Sequence, residues 1–155
     1  MGLEIERKFL VKGEYKSLAQ SQSHIVQGYL CAGSGRSVRI RIRNEKAYVT
    51  IKGPASADGM SRFEWETEVS LEDGQEMIGF CEPGVIDKDR YLVPYKGYIF
   101  EVDEFHADNE GLVICEVELG APDEVIPIPP FLGKEVTGDK RYYNSHLREY
   151  PYTKW

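Results

Sequence analysis

Glu4-Ile5-Glu6-Arg7-Lys8-Phe9-Leu10 sets two carboxylates and an ammonium at every second residue. Two is the period of a β-strand, so Glu4, Glu6 and Lys8 project from one face and Leu3, Ile5, Arg7 and Phe9 from the other. Alone, such a strand reads as a solvated edge. Working outward from it, alternation and turn residues mark eight candidate strands at about 2–11, 24–31, 36–44, 46–53, 60–70, 85–93, 97–105 and 112–120. Asn44-Glu45 reads as a tight hairpin, and the other short connections make successive strands antiparallel neighbours. Helical spacing appears at Glu14–Ala19, Glu72–Phe80 and Asp139–Glu149, and Pro122–Pro130 is a proline-rich connector that cannot enter a sheet interior.

The charged face recurs from strand to strand, and its signs are sorted. Arg39, Arg41 and Arg43 share a face on the third strand, Tyr48, Thr50 and Lys52 on the fourth, and Lys88 and Arg90 on the sixth. Acids occupy the others: Glu64, Glu66 and Glu68, then Glu101 and Asp103, then Glu116 and Glu118. Sorting of this kind gains little on an open surface, where an ion pair contributes roughly 0–1 kcal/mol. It makes sense on an enclosed face. The expected fold is therefore mainly β (α+β), an eight-stranded antiparallel closed or nearly closed barrel whose lumen is the charged face, with a few flanking helices.

So many enclosed charges must be solvated or compensated, because a buried unpaired ion costs several kcal/mol. The cationic group Arg39, Arg41, Arg43, Lys52, Lys88 and Arg90 with Lys8 suits a multiply charged anion, with guanidinium forks matching phosphate oxygens. The acidic group Glu4, Glu6, Glu64, Glu66, Asp103, Glu116 and Glu118 suits a hard divalent cation such as Mg2+ or Mn2+. A metal-bridged polyphosphate satisfies both.

Composition narrows the class further. The 155 residues fit one domain, 1–155, and a net charge of -7 argues against nucleic-acid binding. Cys31, Cys81 and Cys115 are widely spaced without a CxxC pair, no segment is apolar for long enough to span a bilayer, and the start has no apolar signal core. The expectation is a cytoplasmic protein without a membrane partner, with its outward apolar face covered by helices or by a second copy in a homodimer. Trp65 lies on that face and reads as core beneath a helix; His24, His106 and His146 read as surface or packing residues.

The ordered set of motifs resembles the CYTH superfamily, or triphosphate tunnel metalloenzymes. Its carriers are Glu4-Ile5-Glu6-Arg7-Lys8, Arg39-Ile40-Arg41, Thr50-Ile51-Lys52-Gly53, Phe63-Glu64-Trp65-Glu66, Asp87-Lys88-Asp89-Arg90-Tyr91, Phe100-Glu101-Val102-Asp103 and Cys115-Glu116-Val117-Glu118. The resemblance implies a barrel tunnel acting on a triphosphate with a divalent metal. It assigns Glu4, Glu6, Glu116 and Glu118 to metal, Glu64 and Glu66 to a second ion, and Lys8, Arg39, Arg41, Lys52, Lys88 and Arg90 to phosphates. Asp103 fits either a metal ligand or a group that orients a neighbouring base. Tyr29 is a candidate contact to the phosphate or to Lys8, a lysine beside a phenol is a candidate proton donor to the leaving oxygen, and a second ion on Glu64 and Glu66 would lower the pKa of the attacking water. Inorganic tripolyphosphate hydrolysis is the expected reaction; class IV adenylate cyclase, thiamine triphosphatase and a non-catalytic polyphosphate or nucleotide sensor are the alternatives.

Overall fold

Each period-two segment folds as a strand with one face turned to the lumen and the other outward, where most of the outward faces find an apolar cover. The computed structural model describes residues 2–155 and contains β1 (Gly2–Val11), β2 (Ser21–Gly33), β3 (Arg36–Arg43), β4 (Lys46–Ala55), β5 (Ser61–Val69), α1 (Leu71–Gly79), β6 (Ile86–Tyr95), β7 (Tyr98–Phe105), β8 (Val113–Glu118), β9 (Leu132–Glu135) and α2 (Asn144–Leu147). All pairings are antiparallel, in the order β5-β4-β3-β2-β6-β7-β8-β1-β9. Contact between β5 and β1, from Gly2↔Glu64 to Ile5↔Ser61, closes the barrel. The ninth strand was not expected. It is four residues long, too short for alternation to reveal, and pairs with the end of β1 beyond the reach of β5.

Turn chemistry agrees with the register. Asn44 (φ 55°) turns β3 into β4, and Lys96 (φ 47°) with Gly97 (φ 87°) turns β6 into β7, the double positive φ that suits a two-residue hairpin. Ser70 caps α1, accepting from the Asp73 N–H at 3.1 Å.

The outer wall is covered unevenly. Around β1, β6, β7 and β8, the outward residues Ile5, Phe9, Val93, Phe100, Val102 and Val117 are buried beneath Tyr15, Ile126, Phe131 and Leu132. The proline-rich connector thus forms no strand and serves as a cover. On the opposite side α1 lies on β3 and β4, where Gly74 sits so close to Ala47 that any side chain there would collide with it. That helix does not cover Trp65. Trp65 (44% exposed), Phe63 and Ile51 remain on an open face, contrary to the expected helix-covered core position.

The lumen changes character along its axis. Leu10, Ile86, Phe105 and Ile114 share the inward face with the charged residues but pack with Val136, Tyr142 and Leu147 into an apolar floor. The expected helix over Asp139–Glu149 is broken there. A 3-10 turn at Lys140–Tyr142 is followed by extended Tyr143 (ψ 136°) and then by α2, which sends Tyr142 into the floor and leaves Tyr143 beside the cavity. No helix is long and apolar enough to cross a membrane among the described residues.

Candidate active site

Above the floor is a cavity of about 240 Å³. Of the residues expected at the site, Glu4, Glu6, Lys8, Tyr29, Arg39, Arg41, Lys52, Glu64, Glu66, Arg90, Glu116 and Glu118 line it. Lys88 and Asp103 do not; they are 0% and 2% exposed and sit behind the cavity wall. Strand pairing explains the assembly. Lys8 lies opposite Glu116, Glu116 opposite Glu101, and Glu6 opposite Glu118, so β1, β7 and β8 make one acidic wall. Arg39 lies between Tyr29 and Thr50, and Arg41 between Gln27 and Tyr48, so β2, β3 and β4 make the cationic one.

Ion pairs join the walls. Lys52 Nζ is 2.9 Å from Glu4 Oε1 and 3.3 Å from Glu64 Oε2. Thr50 donates to Glu66 at 2.7 Å while accepting from Arg39 at 3.3 Å. Asp103 takes two bonds from Arg90, at 2.7 and 2.9 Å, and a third from Lys88 at 2.7 Å. Both Asp103 oxygens are thus engaged, and Arg90 is held in a bidentate grip that fixes its direction. Lys8 donates to the Tyr142 carbonyl at 3.3 Å and lies over the Tyr143 ring at 5.1 Å. No hydrogen bond links Lys8 to Tyr29 among the described residues, and the phenol ring nearest its ammonium is that of Tyr143, which the sequence did not single out.

The electrostatics show what the cavity lacks. Burial and then the Glu116 charge push the Glu6 carboxyl well above the usual range. Glu116 itself stays ionised despite its own burial, because Lys8 and a hydrogen bond from Glu6 hold its carboxyl well below that range. Two acids in this relation share a proton unless a cation separates them. For Lys8, burial favours the neutral amine but Glu116 and Glu6 outweigh it, so the ammonium persists. Burial and the adjacent Arg39 draw Arg41 down to about 9. Burial also lowers Lys88, to about 7, against the attraction of Asp103 and with Arg90 and Arg41 adding to the fall. Asp103 is buried too, yet Arg90 and Lys88 depress it to about 2.

The donor set fits a metal-bridged phosphate chain. Crowded carboxylates at Glu6 and Glu116 call for a cation, and oxygen-only ligands favour a hard one. On the facing wall, Arg39 Nε and Gln27 Nε2 are buried without a partner among the described residues, donors suited to an anion's oxygens. The cavity is also lined by Glu101, Arg62, Asn144 and Ser145, none of them assigned from the sequence. Strand parity carried a signal for the first two, since Glu101 alternates with Asp103 and Arg62 with Glu64. Nothing local marked the C-terminal pair.

Comparison with known proteins agrees with this geometry. The chain is 46% identical over 154 residues to an inorganic triphosphatase of Acetivibrio thermocellus, covering 98% of this chain and 97% of that one. An inorganic triphosphatase of Nitrosomonas europaea is 35% identical over 153 residues, covering 93% and 95%. The crystal structure of the inorganic triphosphatase NE1496 superposes with a TM-score of 0.63 at 31% identity, covering 93% of this chain and 96% of that one. The PH1012 protein of Pyrococcus horikoshii shares the fold, with a TM-score of 0.61 at 24% identity over 77% of this chain and 81% of that one. Residues 2–143 match the CYTH domain, and with a lumen of sorted charge closed by β1 and β5 the chain belongs to the CYTH family.

Proposed function

We propose that this protein hydrolyses inorganic triphosphate to diphosphate and phosphate, using Mg2+ or Mn2+. The observation that carries the reading is the cavity itself: guanidinium and carboxylate walls face each other in about 240 Å³ above an apolar floor. Such a space suits a compact polyanion. The relatives named inorganic triphosphatase support the same substrate.

In this reading Glu4, Glu6, Glu116 and Glu118 hold the metal, which supplies charge neutralisation and Lewis-acid polarisation at the phosphoryl oxygens. Arg39, Arg41, Arg90 and Lys52 bind the phosphate chain and keep it in line for attack. Asp103, with both oxygens occupied, aims Arg90 and holds no metal, and Lys88 acts on the phosphates through this pair from behind the wall. Glu64 and Glu66 sit on β5 beside Lys52 and Thr50 at the edge of the cationic wall, where they orient the attacking water and receive its proton, and where a second cation would bind. Lys8, held protonated, neutralises the departing oxygen and donates a proton to it, with Tyr29 binding the chain from the other side. The chain 1–155 works as one catalytic unit, since strands from both ends and the C-terminal segment line one cavity.

Purified protein offered triphosphate, ATP and thiamine triphosphate with either metal should release phosphate fastest from inorganic triphosphate. Cyclic AMP as the main product, or binding without phosphate release, would overturn the reading.

A further inference from the structure

Outside the barrel, on the wall opposite the uncovered Trp65 face, the sequence builds a second group of ligands that the lumen chemistry does not use. In the antiparallel register His24 lies opposite Asp89 and Asp89 opposite Glu104, which sets two carboxylates side by side on neighbouring strands. Like charges directly across a ladder repel. Their compensation is visible: His106, just past the end of β7, brings Nε2 to 3.0 Å from Asp89 Oδ2, and the Lys16 ammonium reaches Glu104 Oε2 at 3.0 Å. One ligand atom from each of Asp89, Glu104 and His106 lies within 4.8 Å of the others. Buried Tyr15 donates to Glu104 at 2.8 Å, orienting that carboxylate from beneath as an outer partner orients a ligand. His24 is engaged separately, with Asp87 at 2.7 Å.

We propose that Asp89, Glu104 and His106 form an exterior site for a borderline divalent cation of the Zn2+ or Co2+ type, separate from the lumen. Three features of the group support this. The first is chemistry: the lumen set contains only oxygen ligands, whereas an imidazole beside two carboxylates favours later transition metals over Mg2+. The second is rigidity, because Asp89 and Glu104 are fixed by adjacent strands and His106 by the backbone bond of its N–H to the Asp87 carbonyl at 2.9 Å. The third is that a cation already marks the place, since the otherwise exposed Lys16 side chain lays its charged end on Glu104. A bound ion takes the position of that ammonium, displaces the proton that the Asp89 hydrogen bond favours on His106, and ties the β1–β2 connection to the β6–β7 ladder through Glu104 and Tyr15.

The test is Co2+ binding to the full-length protein in excess Mg2+, which competes for the oxygen-only lumen, followed by equilibrium dialysis and visible absorption. Wild type should retain about one equivalent of Co2+ with a ligand-field spectrum, and His106→Ala and Asp89→Asn should each weaken it by at least about tenfold. Circular dichroism confirms that both variants fold. Co2+ retained equally by both variants, or no Co2+ retained by the wild type, would overturn the proposal.

Discussion

The two ends of the lumen are made by the same strand faces, yet one end is ionic and the other apolar. Along β1 the inward row runs Glu4, Glu6, Lys8 and then Leu10; along β7 it runs Glu101, Asp103 and then Phe105; along β8, Ile114 precedes Glu116 and Glu118. The change is staggered from strand to strand: Leu10 meets Ile114, but Ile114 meets Asp103 and Phe105 meets Lys88. Depth of the site is thus set by where each row stops being charged. The floor removes water from below the ionic layer, which is why Lys88 and Asp103, at the boundary, carry strongly displaced proton affinities.

The ionic end breaks most severely at Glu4 and Glu6, the proposed metal ligands of β1. Glu4→Gln combined with Glu6→Gln should lower metal-dependent triphosphate hydrolysis by at least about a hundredfold, about 2.7 kcal/mol of transition-state stabilisation, in a barrel that remains folded. Full activity in that variant, measured by phosphate release, would remove these acids from the metal site. At the boundary, Asp103→Asn leaves Lys88 and Arg90 without their carboxylate and should destabilise by about 3–5 kcal/mol, read as a lower denaturation midpoint.

Asp103 also supplies a pH test with a definite sign. Arg90 and Lys88 depress its pKa in the folded protein to about 2 from the ordinary 3.8, so its contribution is complete above that ordinary value and disappears as pH falls towards 2. Wild type should lose stability across that window, and Asp103→Asn should show a smaller loss there. Parallel melting curves for the two would contradict the assignment.

The apolar end is broken by Leu147→Ala, which opens a cavity among Ile86, Phe105 and Ile114 and should cost about 2–4 kcal/mol while leaving metal affinity near the wild-type value. A large loss of metal affinity would mean that floor and ionic layer are coupled through the boundary pairs Ile114–Asp103 and Phe105–Lys88. The smallest effect belongs to an ion pair outside the barrel. Arg7 holds Glu135 by two bonds, at 2.9 and 2.7 Å, but both side chains are partly solvated, so Arg7→Ala should cost about 0.2–1 kcal/mol and less at high salt.

Alternation alone made the barrel legible. A charged residue at every second position, sorted by sign from strand to strand, leaves enclosure as the arrangement that uses it, and hydrogen-bonded neighbours then follow from short connections. It also made most of the site legible, because side chains such as Glu4, Arg39 and Glu116 point inward by parity, independent of tertiary detail. What parity lacks is height along the barrel axis. Lys88 and Arg90 are equivalent by alternation, and only the register with Phe105 and Asp103 buries the first and leaves the second at the cavity.

Segments with no repeating pattern were decided by tertiary contacts. Helical spacing at Asp139–Glu149 gave way because the chain must place Tyr142 and Leu147 in the floor and Tyr143 beside Lys8, which a continuous helix does not do at once. Strand β9 forms because β5 leaves the end of β1 unpaired, a vacancy that no local residue encodes. The sequence by itself therefore determined which side chains face inward and with what charge, since that depends only on a two-residue period. The tertiary structure alone decided how deep each lies, which phenol stands beside Lys8, and which ladder edges the C-terminal half fills, since these depend on register and packing between residues far apart in the chain.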